Sequence, residues 1–195
     1  MDAIGLVDTV VFDCDGVLID SRTSYDRAIE TTTEYFLSKI FGLRLRPNFP
    51  VQQLVEVLRG TGQYNNDIDA TAAILVSVTA SLPSDRVMKC LETRDESVEK
   101  LQETLESEAF VGEVLRLLEM ASKGCSVFVN AVKAAVPSTA PCVDELLKRL
   151  GYPGGPASSL LSRVFDEYYY GPVLLKRLHG LDPVVGCKTG LIDSE

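Results

Sequence analysis

A short apolar run, Leu6 to Phe12 (LVDTVVF), ends in an acidic turn, DCDG, and no comparable run follows it. Its length and β-branched residues read as a buried strand that ends in a loop. A lone strand cannot stay dry, because its backbone amides and carbonyls need partners. Downstream, the pattern is mainly helical. Either weak strands hide among the helices, or something else completes the sheet.

The helical pattern has clear punctuation. From Ser21 to Phe41 the apolar residues Tyr25, Ala28, Ile29, Phe36, Leu37 and Ile40 recur at helical spacing. Pro47 and Pro50 mark a loop, and Val51 to Leu58 make a short helix ended by Gly60 and Gly62. The polar stretch GQYNND leads into an apolar helix from Ile68 to Leu82, with Asp67 or Asp69 as its cap. Pro83 and Ser84 open a long charged helix running to Ser107, and Phe110 to Ser122 is amphipathic. Val127 to Val136 and Val143 to Leu150 are further helices. The PGGP at Pro153 to Pro156 is a break. Ser158 or Ser159 caps the next helix, through Phe165 and Tyr169, and a last short helix runs from Pro172 to Leu178. There is no internal repeat.

Composition narrows the function classes. A length of 195 residues suits one domain, or one domain plus a small insert. The net charge of −9 and the lack of a Lys/Arg cluster argue against nucleic acid as a partner. Cys14, Cys90, Cys125, Cys142 and Cys187 are odd in number and contain no CxxC pair. That disfavours a zinc site or a disulfide framework and fits reduced thiols in the cytoplasm. With one histidine, His179, there is little support for a His-dependent triad. No apolar run is long enough for a membrane helix, and the Met-Asp start lacks the basic residues of a signal peptide.

The chemistry concentrates in VVFDCDGVLIDS, Val10 to Ser21. Asp13 and Asp15 stand at alternate positions at the carboxyl end of the expected strand, where open α/β sheets hold their ligands. Gly16 lets the chain turn without a Cβ in the way. Two ionised carboxylates in a dry site repel, so a divalent cation binds there or one acid keeps its proton. Magnesium (Mg2+), with its preference for carboxylate, water and phosphate oxygens, fits such a site. The arrangement suits phosphoryl transfer, with one carboxylate attacking phosphorus and the other moving the proton. An EF-hand is excluded, since the glycine comes too early and the final glutamate is missing.

FDCDGVLIDS closely resembles the first motif of the haloacid dehalogenase (HAD) superfamily, in its phosphatase-like branch. The resemblance implies that Asp13 is the nucleophile and Asp15 the general acid/base, and that both contact magnesium. An acid at Asp15 favours a phosphatase over a dehalogenase. A weaker resemblance to a phosphoglycolate-phosphatase-like group runs through SYDRAIETTTEYF, GQYNNDIDAT, FDEYYYG and GLIDSE. The implied fold class is α/β (HAD-like) by lineage and mostly α by content. One Rossmann-type core strand precedes a large helical cap. The implied division is 1–21 for the first core strand and catalytic loop, 22–185 for the cap, and 186–195 for a return segment. Substrate contacts fall on Gly16 and on the cap-loop residues Asn65 and Asn66, for which a turn with a helix cap is an equal reading.

The family's later elements are hard to find. Gly124 to Asn130 (GCSVFVN) is the best stand-in for a second strand, with Ser126 or Asn130 as phosphate ligands, although AVKAAV continues as helix. Ile74 to Thr79 (ILVSVT), with Thr79 as ligand, is the alternative. No later strand bears a paired acid. The expectation is therefore a first core strand and cap without the remaining core, whether fragment, truncated product or half of a split enzyme. Two functions follow. One is a Mg2+-dependent hydrolase of a small phosphorylated metabolite, with no nucleic acid or membrane partner. The other is a non-catalytic module that forms a homo-oligomer or docks onto a partner chain that completes the core. Tyr168, Tyr169 and Tyr170 could stack on a ligand, but adjacent helical positions spread over different faces. His179 beside Gly180 reads as a helix end, and Arg94 to Glu108 as a solvated face.

Overall fold

A computed structural model describes residues 22–44, 49–93, 98–105, 107–121 and 123–192. The described residues begin with α1 (Arg22–Phe41) and α2 (Val51–Gly60), followed by α3 (Asp67–Ser81) and α4 (Ser84–Thr93). Next come α5 (Val98–Leu105), α6 (Glu108–Leu118) and α7 (Cys125–Ala135). A 3-10 turn (Pro137–Thr139) leads into α8 (Ala140–Leu150), and α9 (Leu160–His179) follows.

The α/β expectation is overturned. Among the described residues there are nine α-helices and no strand. Gly124 to Asn130 shows why. The buried residues of α7 are Cys125, Phe128, Val129 and Val132, a helical period, while Ser126 and Asn130 are exposed. A half-buried strand would have buried alternate residues. Ile74 to Thr79 carries β-branched residues but lies inside the 15-residue α3, too long an apolar run for a strand. The run Leu6 to Phe12 lies outside the described residues.

The core is organised around α3. Every residue from Ala70 to Ala80 is buried, so this helix has no solvent face. It packs against α1, α2, α6, α7, α8 and α9. Its sequence permits this, because Ala70, Ala72, Ala73, Ser77 and Ala80 let neighbours approach closely, and no charge follows Asp69. Two of its hydroxyls bond back one turn: Thr71 Oγ1 donates to Asp67 O (2.7 Å) and Ser77 Oγ to Ala73 O (2.9 Å). The surrounding helices bury one stripe each, such as Val51, Leu54, Val55 and Leu58 on α2 and Cys142, Val143, Leu146 and Leu150 on α8.

Within the long charged helix expected from Ser84 to Ser107 the described residues form α4 and α5, and residues 94–97 lie outside the described residues. The next one, α6, starts at Ser107, whose Oγ donates to Thr104 O (2.9 Å) and accepts from Phe110 N–H (3.2 Å). That hydroxyl ends one helix and caps the other. The Gln102 side chain on α5 bonds both the amide and the carbonyl of Arg44 (2.9 Å each), which ties α5 to the chain leaving α1.

The last helix is bent. Within α9, Gly171 has φ +79°, and Pro172 follows it, so the helix breaks there and its second half changes direction. The return segment crosses this bend: Leu191 N–H donates to Tyr168 O (2.9 Å). Gly171 and Gly190 meet backbone to backbone. A Cβ on Gly171 would lie 2.5 Å from Gly190 N, and one on Gly190 would lie 2.3 Å from Gly171 N. Both positions therefore require glycine, one of them for its dihedral as well. Gly171→Ala is expected to cost roughly 1–3 kcal/mol from backbone strain alone, before the clash is counted. A thermal melt of the variant against the parent measures it.

Candidate functional site

The catalytic and metal-binding aspartates expected from the sequence, Asp13 and Asp15, and the adjoining Gly16 lie outside the described residues. The remaining expected contacts, Asn65 and Asn66, sit in the turn between α2 and α3. This turn is fastened on several sides. Thr61 Oγ1 donates to Leu58 O (2.7 Å) and accepts from Gln63 N–H (3.2 Å), which closes the end of α2. Tyr64 is buried and anchors the turn in the core. Asn65 is exposed. Asn66 is the N-cap of α3, its Oδ1 accepting from Ile68 N–H (2.9 Å). The cap is thus neither of the expected residues, Asp67 or Asp69, both of which lie inside the first turn with their carboxylates engaged elsewhere.

Its partner is Arg59, at the end of α2. Arg59 Nη1 meets Asp26 Oδ1 of α1 at 2.8 Å, and Nη2 meets Asp67 Oδ1 at 3.2 Å. One guanidinium thus links the first turns of α1 and α3. Burial pushes the Asp67 carboxyl above the usual range, with Arg59 opposing and the nearby Asp26 charge adding to the rise. On the other side of the turn, Tyr152, just beyond α8, donates from its OH to Asp69 Oδ1 (2.6 Å). Burial first, then its bonds to Asp69 and Cys125, raise the Tyr152 phenol above its ordinary value. Cys125, the first residue of α7, is held at about 11, chiefly by burial. It is therefore a protonated, structural thiol at neutral pH.

The expected phosphate ligands are not brought to this turn. Thr79 lies about 20 Å along α3 from Asn66 and is buried, its Oγ1 without a hydrogen-bond partner. Ser126 and Asn130 lie on the exposed face of α7. Among the described residues no group of three or more His, Cys, Asp or Glu side chains could hold a metal. The acidic pair the fold does bring together, Asp26 and Asp67, is already bridged by Arg59.

A second polar centre lies on α9, and sequence reasoning missed it. Glu167 is fully buried, and its carboxylate accepts backbone N–H bonds from Val184, Val185, Gly186 and Cys187. Beside it, Asp166 Oδ2 lies 3.4 Å from His179 Nε2, across the bend at Gly171. Burial raises the Asp166 carboxyl, with His179 opposing. The helix end expected at His179 is closed by Gly180, in the left-handed conformation. The three tyrosines divide as their helical positions dictate. Tyr168 packs on Tyr35, Tyr169 stacks on Tyr25 at 4.6 Å between centroids, and Tyr170 faces His179.

No family model matches the chain, and neither the curated proteins nor the solved structures compared with it yield a match. No helix among the described residues is long and apolar enough to cross a membrane.

Two outcomes follow from this geometry. Asn66→Ala removes the α3 cap and is expected to cost about 1 kcal/mol in denaturant unfolding. The second concerns pH. The folded state holds the Asp67 proton more tightly than the unfolded chain does. Its contribution is therefore fully present below the unfolded Asp value and is lost as pH rises through the folded value. Urea midpoints measured from acid to neutral pH should show the parent losing ground to Asp67→Asn as pH rises.

Proposed function

We propose that the chain is a magnesium-dependent, phosphatase-like hydrolase of small phosphate monoesters, of the haloacid dehalogenase type and cytoplasmic. The observation that carries the reading is FDCDGVLIDS running directly into α1. Its chemistry is that of paired carboxylates. An Asp13 oxygen attacks phosphorus and the bond to the leaving alcohol breaks. Asp15 gives that alcohol its proton, then takes one from the water that attacks phosphorus and frees Asp13. A magnesium ion held by Asp13 and Asp15 would offset the charge of the phosphate.

The helical unit supports the reading through the position of its ends. Tyr25 in the first turns of α1 stacks on Tyr169, and Leu191 N–H bonds Tyr168 O. Entry and exit therefore lie against adjoining residues of α9. A unit with adjacent ends can be carried on a second body as an insert. Asn65, exposed on a turn braced by Arg59, Tyr64 and Tyr152, is a candidate for reading the substrate.

A second reading is favoured by one observation. On the distal half of α9, Val173 is 77% exposed and Leu178 57% exposed. Apolar surface of that kind suits a module that docks onto a second copy or a partner chain.

Hydrolysis of p-nitrophenyl phosphate by the full chain, with and without magnesium, tests the proposal. Asp13→Asn is expected to abolish turnover, and Asp15→Asn to lower it by about 100-fold or more. Helical circular dichroism should be unchanged in both. Full activity in the Asp13→Asn variant overturns the mechanism. An inert parent that elutes as a dimer in size-exclusion chromatography favours the docking module instead.

A further inference from the structure

Residues 181–192 form no α-helix, and Asp182, Pro183, Val184, Lys188 and Thr189 are exposed among them. Gly190 is the one buried residue among them and has no side chain to pack. Val185 and Leu191 are partly buried against the core. The Lys176–Asp182 ion pair (2.8 Å) is exposed and worth little. Apolar burial therefore does not account for the ordered path of this segment.

The attachment is polar and concentrated. Glu167 Oε2 accepts from Val184 N–H and from Val185 N–H (2.8 Å), and Oε1 accepts from Gly186 N–H (2.7 Å) and Cys187 N–H (3.3 Å). Gly186, at φ +76°, lets the backbone curl so that successive amides converge on one carboxylate. No cation pairs with Glu167 among the described residues, so these amides compensate its buried charge. Hydrogen bonds to an ionised acceptor are the strong kind.

We propose that residues 181–192 form a strap whose main catch is the Glu167 carboxylate, with Leu191 N–H on Tyr168 O as a lesser tie, and that the strap opens as a unit while the helices stay folded. The inference goes beyond the hydrolase reading and stands whether or not the chain cleaves phosphate esters. Opening lets water hydrate both Glu167 and the freed amides, so the charge is never stranded. Segments with little apolar burial and solvent-accessible hydrogen bonds open at lower free energy than the core.

The strap carries its own reporter. Cys187 Sγ lies 3.3 Å from Glu167 O and 3.7 Å from Glu167 Oε1. Burial and the Glu167 charge hold this thiol at about 11, so it is protonated and unreactive while the strap is closed. Opening removes both causes and frees the thiol. Glu167 is thus a positioning residue, and the reactivity of Cys187 reads the state of the catch.

The test is site-resolved alkylation of the full chain with iodoacetamide, followed by mass spectrometry, alongside hydrogen exchange. Glu167→Gln places a donor NH2 where an acceptor oxygen met amides. It should raise the Cys187 alkylation rate about tenfold or more, the equivalent of one charge-assisted hydrogen bond. Cys90, Cys125 and Cys142, all buried, should stay slow, and helical circular dichroism should not change. An unchanged Cys187 rate with the amides of 184–187 still protected overturns the role of Glu167. Acceleration of Cys90, Cys125 and Cys142 together with Cys187 overturns the independent strap. Should the variant fail to fold, exchange in the parent decides: the amides of 184–187 must open at lower free energy than those of α3, and equal values refute the proposal.

Discussion

A helix buried on every side sets the terms for the rest of this molecule. Because α3 has no polar face, each neighbouring helix must present an apolar stripe to it, and the number of neighbours is fixed by its circumference. Small residues along α3 bring those neighbours close, and back-bonded hydroxyls let Thr71 and Ser77 sit in the core. The polar brackets then gather at the amino end of α3, where the side chain of Asn66 and the charges of Asp67 and Asp69 can still reach partners. Arg59 and Tyr152 are those charges' partners, and they orient α1 and α8 around the turn.

Much of the helical layout was legible from periodicity. Apolar spacing located α1, α2 and α8 because each buries one face only, and the Gly62 and PGGP breaks fell where the chain turns. The errors have physical causes. The cap of α3 was read as Asp67 or Asp69, but those carboxylates meet Arg59 and Tyr152, and Asn66 caps the helix. By contrast, the boundary read at Ser107 is the one found, with that serine capping α6. Gly124 to Asn130 looked like a strand by composition, and only the helical period of Cys125, Phe128, Val129 and Val132 told otherwise. That period was available in the sequence and is the signal to trust.

The polar centre at Glu167 was invisible for a different reason. FDEYYYG suggested aromatic chemistry, and nothing in it says that a glutamate will be buried. Its partners are backbone amides, which every residue has, so no residue type marks them. Arg59 was missed similarly, because its two carboxylates come from separate helices. Sequence reasoning finds groups that act through local spacing, as in FDCDGVLIDS, far better than groups that act across the fold. The functional proposal inherits this asymmetry. It rests on a local motif, while the described helices supply the braced turn around Asn65 and the adjoining ends on α9.

Those adjoining ends carry a topological consequence. The approach of α1 and the departure of the chain at Leu191 share one stretch of α9, so joining them asks for a short linker and little loop-closure entropy. The loop at Pro153 to Gly155 is exposed. New termini opened there would leave α3 and its surrounding helices intact. The helical unit thus has the wiring of a circle, and the order in which ribosomes deliver its helices is separable from the way they pack.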